Sequence, residues 1–585
     1  MSAQDDTIRR AWQVARTELL SQANASGFWT GELSPSALST ATAASALSLV
    51  GRDRFAELIE GALRWLIAHQ NADGGWGDTP NSPSNISTTM LVQAALKLSD
   101  VSAQTAWDRS ERYLAVTAGT SPEARLGALR ARYGKDRTFA VPILTNCALA
   151  GVPPFGAGGA DWQQIPPLPF ELACCPTSWL SATRLHVVSY ALPALIAIGQ
   201  LLHVKHPTRN LPVRFLRNVT IGPALKKLIA IQPASGGFIE ATPLTSFVVM
   251  SLAGASRLDH PVVRKGVDFL VNSVRPDGSW PIDTNLSVWV TTQAMTALAQ
   301  GPEPVDLSAS QRWLLARQQT HRHPYTGTRP GGWAWTELSG GVPDADDTSG
   351  ALMALALAKS LTPEPAIRNG LHWLLELQNR DGGWPTFCRG WGKLPFDRSA
   401  PDLTAHALRA LAAWPQVRPR QALRARERAL RYLAGSQRPD GSWLPLWFGN
   451  QHTAGETNPV YGTAKVLSAY TKLGLTETPE ARRGVGFLLG AQCAEGGWSG
   501  GAGAPATIEE TALACEALWA WSGDPLVSSR CLAGARRLAG WILEGGLAEP
   551  APIGLYFANL WYWEKLYPVI WSVGALGRVL PRSKT

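Results

Sequence analysis

The chain has 585 residues, 45% of them hydrophobic and only 17% charged. That is too long for one ordinary core, so two large domains are expected, with much apolar surface to bury or to place in a membrane. The net charge of +9 suits anionic lipid head groups or nucleic acid, but no zinc finger, RNP-type motif or dense Lys/Arg block accompanies it, which favours lipid over nucleic acid.

The N-terminus, Met1 to Asp6, is acidic and lacks an apolar h-region, so no signal peptide is read and a cytoplasmic chain is expected. Seven Cys, an odd count without a C-x-x-C pair, fit reduced and mostly buried thiols. Residues 7–20 form an amphipathic pattern with Ile8, Trp12, Ala15 and Leu19 on one face. A repeat then begins: a helix ends near a Gln, a Gly turn follows, and a Trp precedes the next Ala/Leu-rich helix. Its clearest copies are Gln70 to Trp76, Gln378 to Trp384, Gln437 to Trp443 and Gln492 to Trp498, each with Gln six positions before Trp. Weaker copies end at Trp29, Phe238, Trp280 and Trp333. Neighbouring copies are spaced for two helices per unit.

In this unit Gly supplies the positive φ that ends the first helix, and the indole lying on the Gln amide pins the turn. Tandem helix pairs that close on themselves predict an all-α fold of two α/α barrels. The first barrel is expected over 27–285. The second is expected to take 286–585 plus the N-terminal helix, 1–26. Leu185 to Val204 comes nearest to a membrane span, but His186, Pro193 and Gln200 make it a bent, buried helix. Residues 210–231, apolar yet carrying Arg214, Arg217, Lys226 and Lys227, are the candidate membrane-surface helix.

One stretch stands apart. Asp344, Asp346 and Asp347 lie within four residues, directly before the apolar run Ala351 to Ala358. Capping needs only one of them. Three crowded at the mouth of an apolar element suggest a carboxyl forced to keep its proton.

The repeats together with Asp-x-Asp-Asp-Thr resemble the class II triterpene cyclases, squalene–hopene cyclase most of all, from about Gly27 to Leu580. Pro330 to Trp335, Asp402 to His406, Val460 to Thr463 and the aromatic tail Tyr556 to Trp571 resemble that family as well. The resemblance implies that Asp346 is the general acid that protonates a terminal alkene, flanked by Asp344 and Asp347. It places the partner histidine on His406, with Asp402 one turn earlier on the same helix face and able to orient the imidazole. A positive His406 would help Asp346 shed its proton. It further implies cation-stabilising aromatics at Trp289, Trp335, Phe387, Trp447 and Tyr556, at about 2 kcal/mol or more each when desolvated. No metal and no cofactor is implied. The expected partners are a linear polyprene, squalene first, and a membrane surface entered from one side on the cytoplasmic face, with a homodimer as the assembly to test. Thr88-Thr89 is followed by Met90-Leu91 where the family has an acid, Trp289 is followed by Val290 rather than Asp, the first domain has Val187-Val-Ser-Tyr-Ala where the family has a Trp-x-Arg helix, and Gln451 to Asn458 reads as an insertion. These departures leave the substrate and the terminating step open.

Three other readings compete. A cyclase for another polyprene, or for a diterpenyl diphosphate, would share the acid, but no basic diphosphate pocket can be placed. No Asp-Asp-x-x-Asp run exists for ionisation chemistry. A protein prenyltransferase subunit shares the barrel but needs Asp-x-Cys at its zinc, and no Cys here has an Asp two residues before it. A non-catalytic helical-repeat protein would have no use for the acids with His406.

Overall fold

The computed structural model describes residues 3–100, 103–134, 137–155, 162–175, 186–324, 326–357, 363–390, 392, 394–555 and 559–581. After the N-terminal helix α1 (Ala3–Ser21), two rings of helices follow. The inner ring of the first comprises α2 (Ala37–Gly51), α4 (Ile86–Ser99), α7 (Arg137–Ala150), α8 (His186–Lys205) and α10 (Thr242–Gly254), each packed on the next and α10 back on α2. Outside it lie α3 (Ala56–Ala68), α5 (Gln104–Thr117), α6 (Pro122–Tyr133), α9 (Leu211–Ile231) and α11 (Pro261–Ser273).

The second inner ring has six members: α12 (Ser287–Leu298), α14 (Ala345–Leu355), α16 (Pro401–Ala413), α18 (Pro459–Lys472), α20 (Ile508–Leu518) and α22 (Tyr567–Val579). It closes by packing α22 on α12. Its outer partners are α13 (Ser308–Leu315), α15 (Glu364–Leu377), α17 (Pro419–Ser436), α19 (Pro479–Gly490) and α21 (Pro525–Leu543), and α1 packs on both α21 and α22. Strand structure among the described residues is one antiparallel pair, β1 (Pro35–Ser36) on β2 (Trp280–Pro281), and isolated bridges.

Sequence decides which helices go inside. An inner helix touches a neighbour on each side and an outer helix behind, so it must be small and apolar almost all round. Every residue of α2 from Ala37 to Leu47 is buried, and all of them are Ala, Ser, Thr or Leu. The outer α17 buries only Ala425, Ala429 and Leu433, one narrow stripe, and offers Arg and Gln to water.

The repeat is held by a recurring set of hydrogen bonds. Gln378 Nε2 donates to Gly382 O at 2.8 Å within its own turn and to Ala425 O of the next outer helix at 2.9 Å. Trp384 Nε1 donates to Leu374 O at 2.7 Å, and its backbone N–H to Thr404 Oγ1 of the inner helix at 2.9 Å. The same four bonds recur around Gln70 and Trp76, Gln437 and Trp443, and Gln492 and Trp498. Each copy thereby satisfies carbonyls freed at helix termini and ties three helices together. The turn demands glycine: Gly441 has φ +88°, and a Cβ there would stand 2.5 Å from Arg483 O.

One copy belongs elsewhere than its place in the chain suggests. Trp29, expected to open the first barrel, donates from its indole to Leu19 O of α1 and from its backbone to Thr291 Oγ1 of α12. It therefore clamps the second ring. The segment Gln451 to Asn458 joins the two halves: Gln451 Nε2 donates to Asn81 O at 3.2 Å, and Glu456 pairs with Arg132 at 3.6 Å. No described helix is long and apolar enough to cross a membrane, α8 included. On α9, Leu211 is 72% and Phe215 68% exposed, with Leu216 and Val219 beside them.

Candidate active site

Asp344 ends an extended segment and caps α14. Its Oδ1 accepts the backbone N–H groups of Asp346 and Asp347, each at 2.8 Å. Capping is thus done by one acid, and the other two are free for other work. The Asp347 side chain turns into the protein and hydrogen-bonds Asp344; burial, then the adjacent Asp344 charge, pushes it well above the usual carboxylate range. Burial likewise pushes Asp344 up to about 7, against the two N–H groups it accepts. The two titrate as a pair, both displaced upward by burial.

Asp346 turns the other way, toward the ring centre. Its Oδ1 lies 2.5 Å from His406 Nδ1, across from α14 to α16, with the two side chains 18% and 10% exposed. Burial holds the His406 imidazole below its ordinary value, and the nearby Arg409 and Lys465 push it further down, against the attraction of Asp346. Burial and the two cations thus oppose the positive charge expected on the imidazole, and Asp346 favours it.

Asp402 is placed differently from its expected role. Both of its oxygens stand 3.3 Å from the Leu446 N–H, and among the described residues it makes no hydrogen bond to His406. Burial, then the charge of Asp346, pushes it up to about 7. It orients the segment 443–448 rather than the imidazole.

That segment carries aromatics. Trp447 Nε1 donates to Thr386 Oγ1 at 3.0 Å, and its ring stands edge-on to Phe387 with centroids 6.0 Å apart. Phe387 in turn meets Trp335 at 6.2 Å and Phe396 at 6.0 Å. The Trp335 carbonyl accepts the N–H groups of Val288 and Trp289, which fixes the start of α12. Trp289 lies edge-on to His406 at 6.0 Å and donates from Nε1 to Tyr567 OH at 3.0 Å. The structure thus brings Trp335, Phe387 and Trp447 into one cluster and sets Trp289 beside the Asp346–His406 pair. Tyr556 lies outside the described residues.

A small cavity opens beside that pair, lined by Trp289, Asp346, Asp402, His406, Arg409, Tyr461 and Lys465. Arg409, Tyr461 and Lys465 were missed by the sequence reading, as were Phe448, Tyr567 and Trp571, which stack around Tyr461 and Trp289. Spacing could have found them: Asp402, His406 and Arg409 are i, i+4 and i+7 on one helix, and Tyr461 and Lys465 are i and i+4 on the next.

Two family models match the chain: the squalene-hopene cyclase C-terminal domain over residues 285–521 and the N-terminal domain over 13–121. Together they cover more than half of it. The chain belongs to the class II terpene cyclase family. Among its relatives, a squalene–hopene cyclase of Alicyclobacillus acidocaldarius is 26% identical over 536 residues, covering 78% of this chain and 77% of that protein. The enfumafungin synthase of Hormonema carpetanum is also 26% identical, but the match spans only 38% of its length. A copalyl diphosphate synthase of Streptomyces cyslabdanicus is 27% identical over 507 residues, 83% of this chain and 81% of that one. The solved ent-copalyl diphosphate synthase of Streptomyces platensis covers 98% of this cyclase and is itself covered to 99%, at a TM-score of 0.57 and 19% identity, and so shares its fold.

Proposed function

We propose that this cyclase protonates the terminal alkene of squalene or a related linear polyprene at Asp346 and drives a cationic polycyclisation to a hopene-like triterpene. The observation that carries the reading is the 2.5 Å contact between Asp346 and His406, beside the Asp344 and Asp347 carboxyls that burial pushes upward. In the first step the Asp346 O–H bond breaks, a C–H bond forms at the terminal alkene carbon, and the adjoining carbon becomes a tertiary cation. Successive alkenes then attack in turn. Trp289, Trp335, Phe387 and Trp447 offer ring faces that stabilise positive charge without adding a nucleophile. The cascade ends by loss of a proton or capture of water.

A membrane-dissolved substrate calls for a docking face. Leu211, Phe215, Leu216 and Val219, exposed on α9 next to Arg214, supply an apolar patch with a basic neighbour, and we assign them to attachment on one face of a bilayer. High-salt extraction checks this: release without detergent would mean binding by charge alone.

A second reading keeps the acid and changes the substrate to a polyprenyl diphosphate. It is favoured by the copalyl diphosphate synthase match and by 29% identity over 296 residues to a drimenyl diphosphate synthase of Streptomyces showdoensis. One experiment decides between them and tests the acid. The full chain is incubated in detergent with squalene, oxidosqualene, a C35 polyprene and geranylgeranyl diphosphate, and products are identified by mass spectrometry. Turnover of squalene, lost in Asp346→Asn with the circular dichroism spectrum unchanged, supports the first reading. Turnover confined to the diphosphate supports the second. Full activity of Asp346→Asn on any of them overturns the acid assignment.

A further inference from the structure

The cavity beside Asp346 has a floor that the reaction as described does not use. Arg409 sits one turn below His406 on α16, and Lys465 one turn below Tyr461 on α18. Both are partly buried, and both line the cavity that Asp346 lines. Among the described residues neither has a carboxylate within ion-pair distance. Lys465 Nζ instead stands over the ring faces of Tyr461 and Trp571, 5.1 and 5.5 Å from their centroids. The nearest acid further down the ring, Glu516 on α20, is already engaged: Gln300 Nε2 donates to it at 3.2 Å, and Arg578 of α22 pairs with it at 3.6 Å.

Partly buried cations without an ion pair carry a desolvation cost, and such groups are ordinarily paired. The ionisable carboxyls on the rim of their cavity are Asp346 and Asp402. We infer that Arg409 and Lys465 are positioning residues that form a positive floor under Asp346 and make it the stronger acid. The inference rests on Asp346 being the proton donor. An acid is as strong as its conjugate base is stable. When Asp346 gives its proton to the alkene, the carboxylate left behind faces two positive charges through a medium that screens them poorly. The same cations act on the imidazole: the charge of Arg409 and Lys465 adds to burial in holding His406 below its ordinary value, against Asp346. His406 then serves as a fixed hydrogen-bond partner, and the cations supply the charge.

The groups around the floor are Asp346 with Asp344 and Asp347 on and before α14, Asp402 and His406 on α16, Tyr461 on α18, Glu516 on α20, Tyr567 and Arg578 on α22, and Trp289 on α12. Burial pushes the Lys465 ammonium down to about 8, with Glu516 opposing. Lys465 therefore remains charged at neutral pH. Burial would push Glu516 up, but Arg578, Arg409 and Lys465 outweigh it and hold it below its ordinary value. Glu516 thus offsets one charge among Arg409, Lys465 and Arg578, and the group stays net positive.

The test uses the full chain and two readouts. One is the infrared carbonyl band of protonated Asp346 across pH, assigned by its loss in Asp346→Asn, which needs no substrate. The other is turnover of squalene in detergent across pH. Lys465→Met should move the Asp346 titration up by about one pH unit and lower plateau turnover roughly tenfold, because a weaker acid keeps its proton longer and gives it up less readily. Lys465→Arg should restore both. Arg409→Gln should act in the same direction, and it carries the test should Lys465→Met fail to fold. An Asp346 titration unmoved in the Met and Gln variants overturns the floor while leaving Asp346 as the acid. A carbonyl band that survives in Asp346→Asn, with turnover intact, overturns the acid assignment itself.

Discussion

The two tryptophans of one short segment, Trp443 and Trp447, separate structural aromatics from reactive ones. Trp443 is fully buried, donates from Nε1 to Leu433 O at 2.8 Å and from its backbone to Thr463 Oγ1 at 3.0 Å. Phenylalanine keeps the backbone bond, loses the indole bond and leaves a void against Gly484 and Leu467. The Leu433 carbonyl keeps the Ser436 hydroxyl as a donor at 3.2 Å, so the lost indole bond costs about 0.5–1.5 kcal/mol, and the void adds about 1–2 kcal/mol. Trp443→Phe should therefore lower the thermal midpoint by several degrees and leave product ratios unchanged. Trp447 is partly exposed, and its indole N–H meets the Thr386 hydroxyl, which can turn to another partner. Trp447→Phe should cost only about 0.5–1.5 kcal/mol. It weakens the ring face offered to a passing cation, so the cascade should stop early and release partly cyclised hydrocarbons. Differential scanning fluorimetry and gas chromatography of the extracts read the two quantities on the same samples. Equal destabilisation with unchanged products in both variants would refute the division of labour.

Three further substitutions follow from the same geometry. His406→Ala removes the 2.5 Å partner of Asp346 without removing the proton donor, so turnover should fall roughly 10²-fold, measured as initial rate, rather than vanish. Asp402→Asn keeps an oxygen for the Leu446 N–H and should hold near wild-type stability, whereas Asp402→Ala leaves that N–H bare and should lose about 1–3 kcal/mol in urea unfolding. Gln378→Ala breaks the bond that closes its own turn and the one that reaches α17, and should cost about 1–3 kcal/mol with products unchanged.

The repeats were legible because their physics is local. A Gln six residues before a Trp can close its own turn, and the glycine between them needs positive φ. The all-α double ring follows from that unit and from the Ala/Ser/Thr-rich helices that only an inner position tolerates. The acid stretch was legible because one cap needs one carboxyl and three were present. The charged floor was not read, because an Arg or Lys inside an Ala/Leu helix ordinarily marks its solvent side. In a closed ring the lumen is a second polar side, and only the spacing of Arg409 after His406, and of Lys465 after Tyr461, betrays it. The role of Asp402 escaped for a different reason. Its partner, the Leu446 N–H, lies 44 positions away in a loop, and i, i+4 spacing favours the nearer imidazole. Trp29 was assigned by chain order, but its partners Leu19 and Thr291 lie on either side of the whole first ring.

The carboxyl cluster also fixes how the cyclase should respond to pH. Two effects compete at the mouth of the second ring. The N-terminus of α14 favours a carboxylate by about 0.3–1 kcal/mol, or up to about 2 in a buried geometry. Burial disfavours it, and for Asp344 the outcome is a rise from 3.8 to about 7 in spite of two accepted N–H groups. Three pKa units correspond to roughly 4 kcal/mol, so burial prevails over the helix. Asp402 rises from 3.8 to about 7 as well. For an acid whose folded value lies above its unfolded one, the native state holds a proton that the unfolded chain has already released. Stability is then full below about 4 and falls as pH rises toward 7. Activity should follow the same direction for a separate reason. Each neighbour that ionises places a negative charge beside Asp346, raises its hold on the proton and weakens it as a donor. Turnover should therefore be highest on the acid side of neutrality and decline through pH 7. Asp402→Asn removes one of the two titrating neighbours, so the decline should become shallower while the acid-side rate stays close to wild type. A turnover that rises through pH 7 in the wild type, or an Asp402→Asn profile that falls more steeply, would show that these carboxyls do not act on Asp346 by charge.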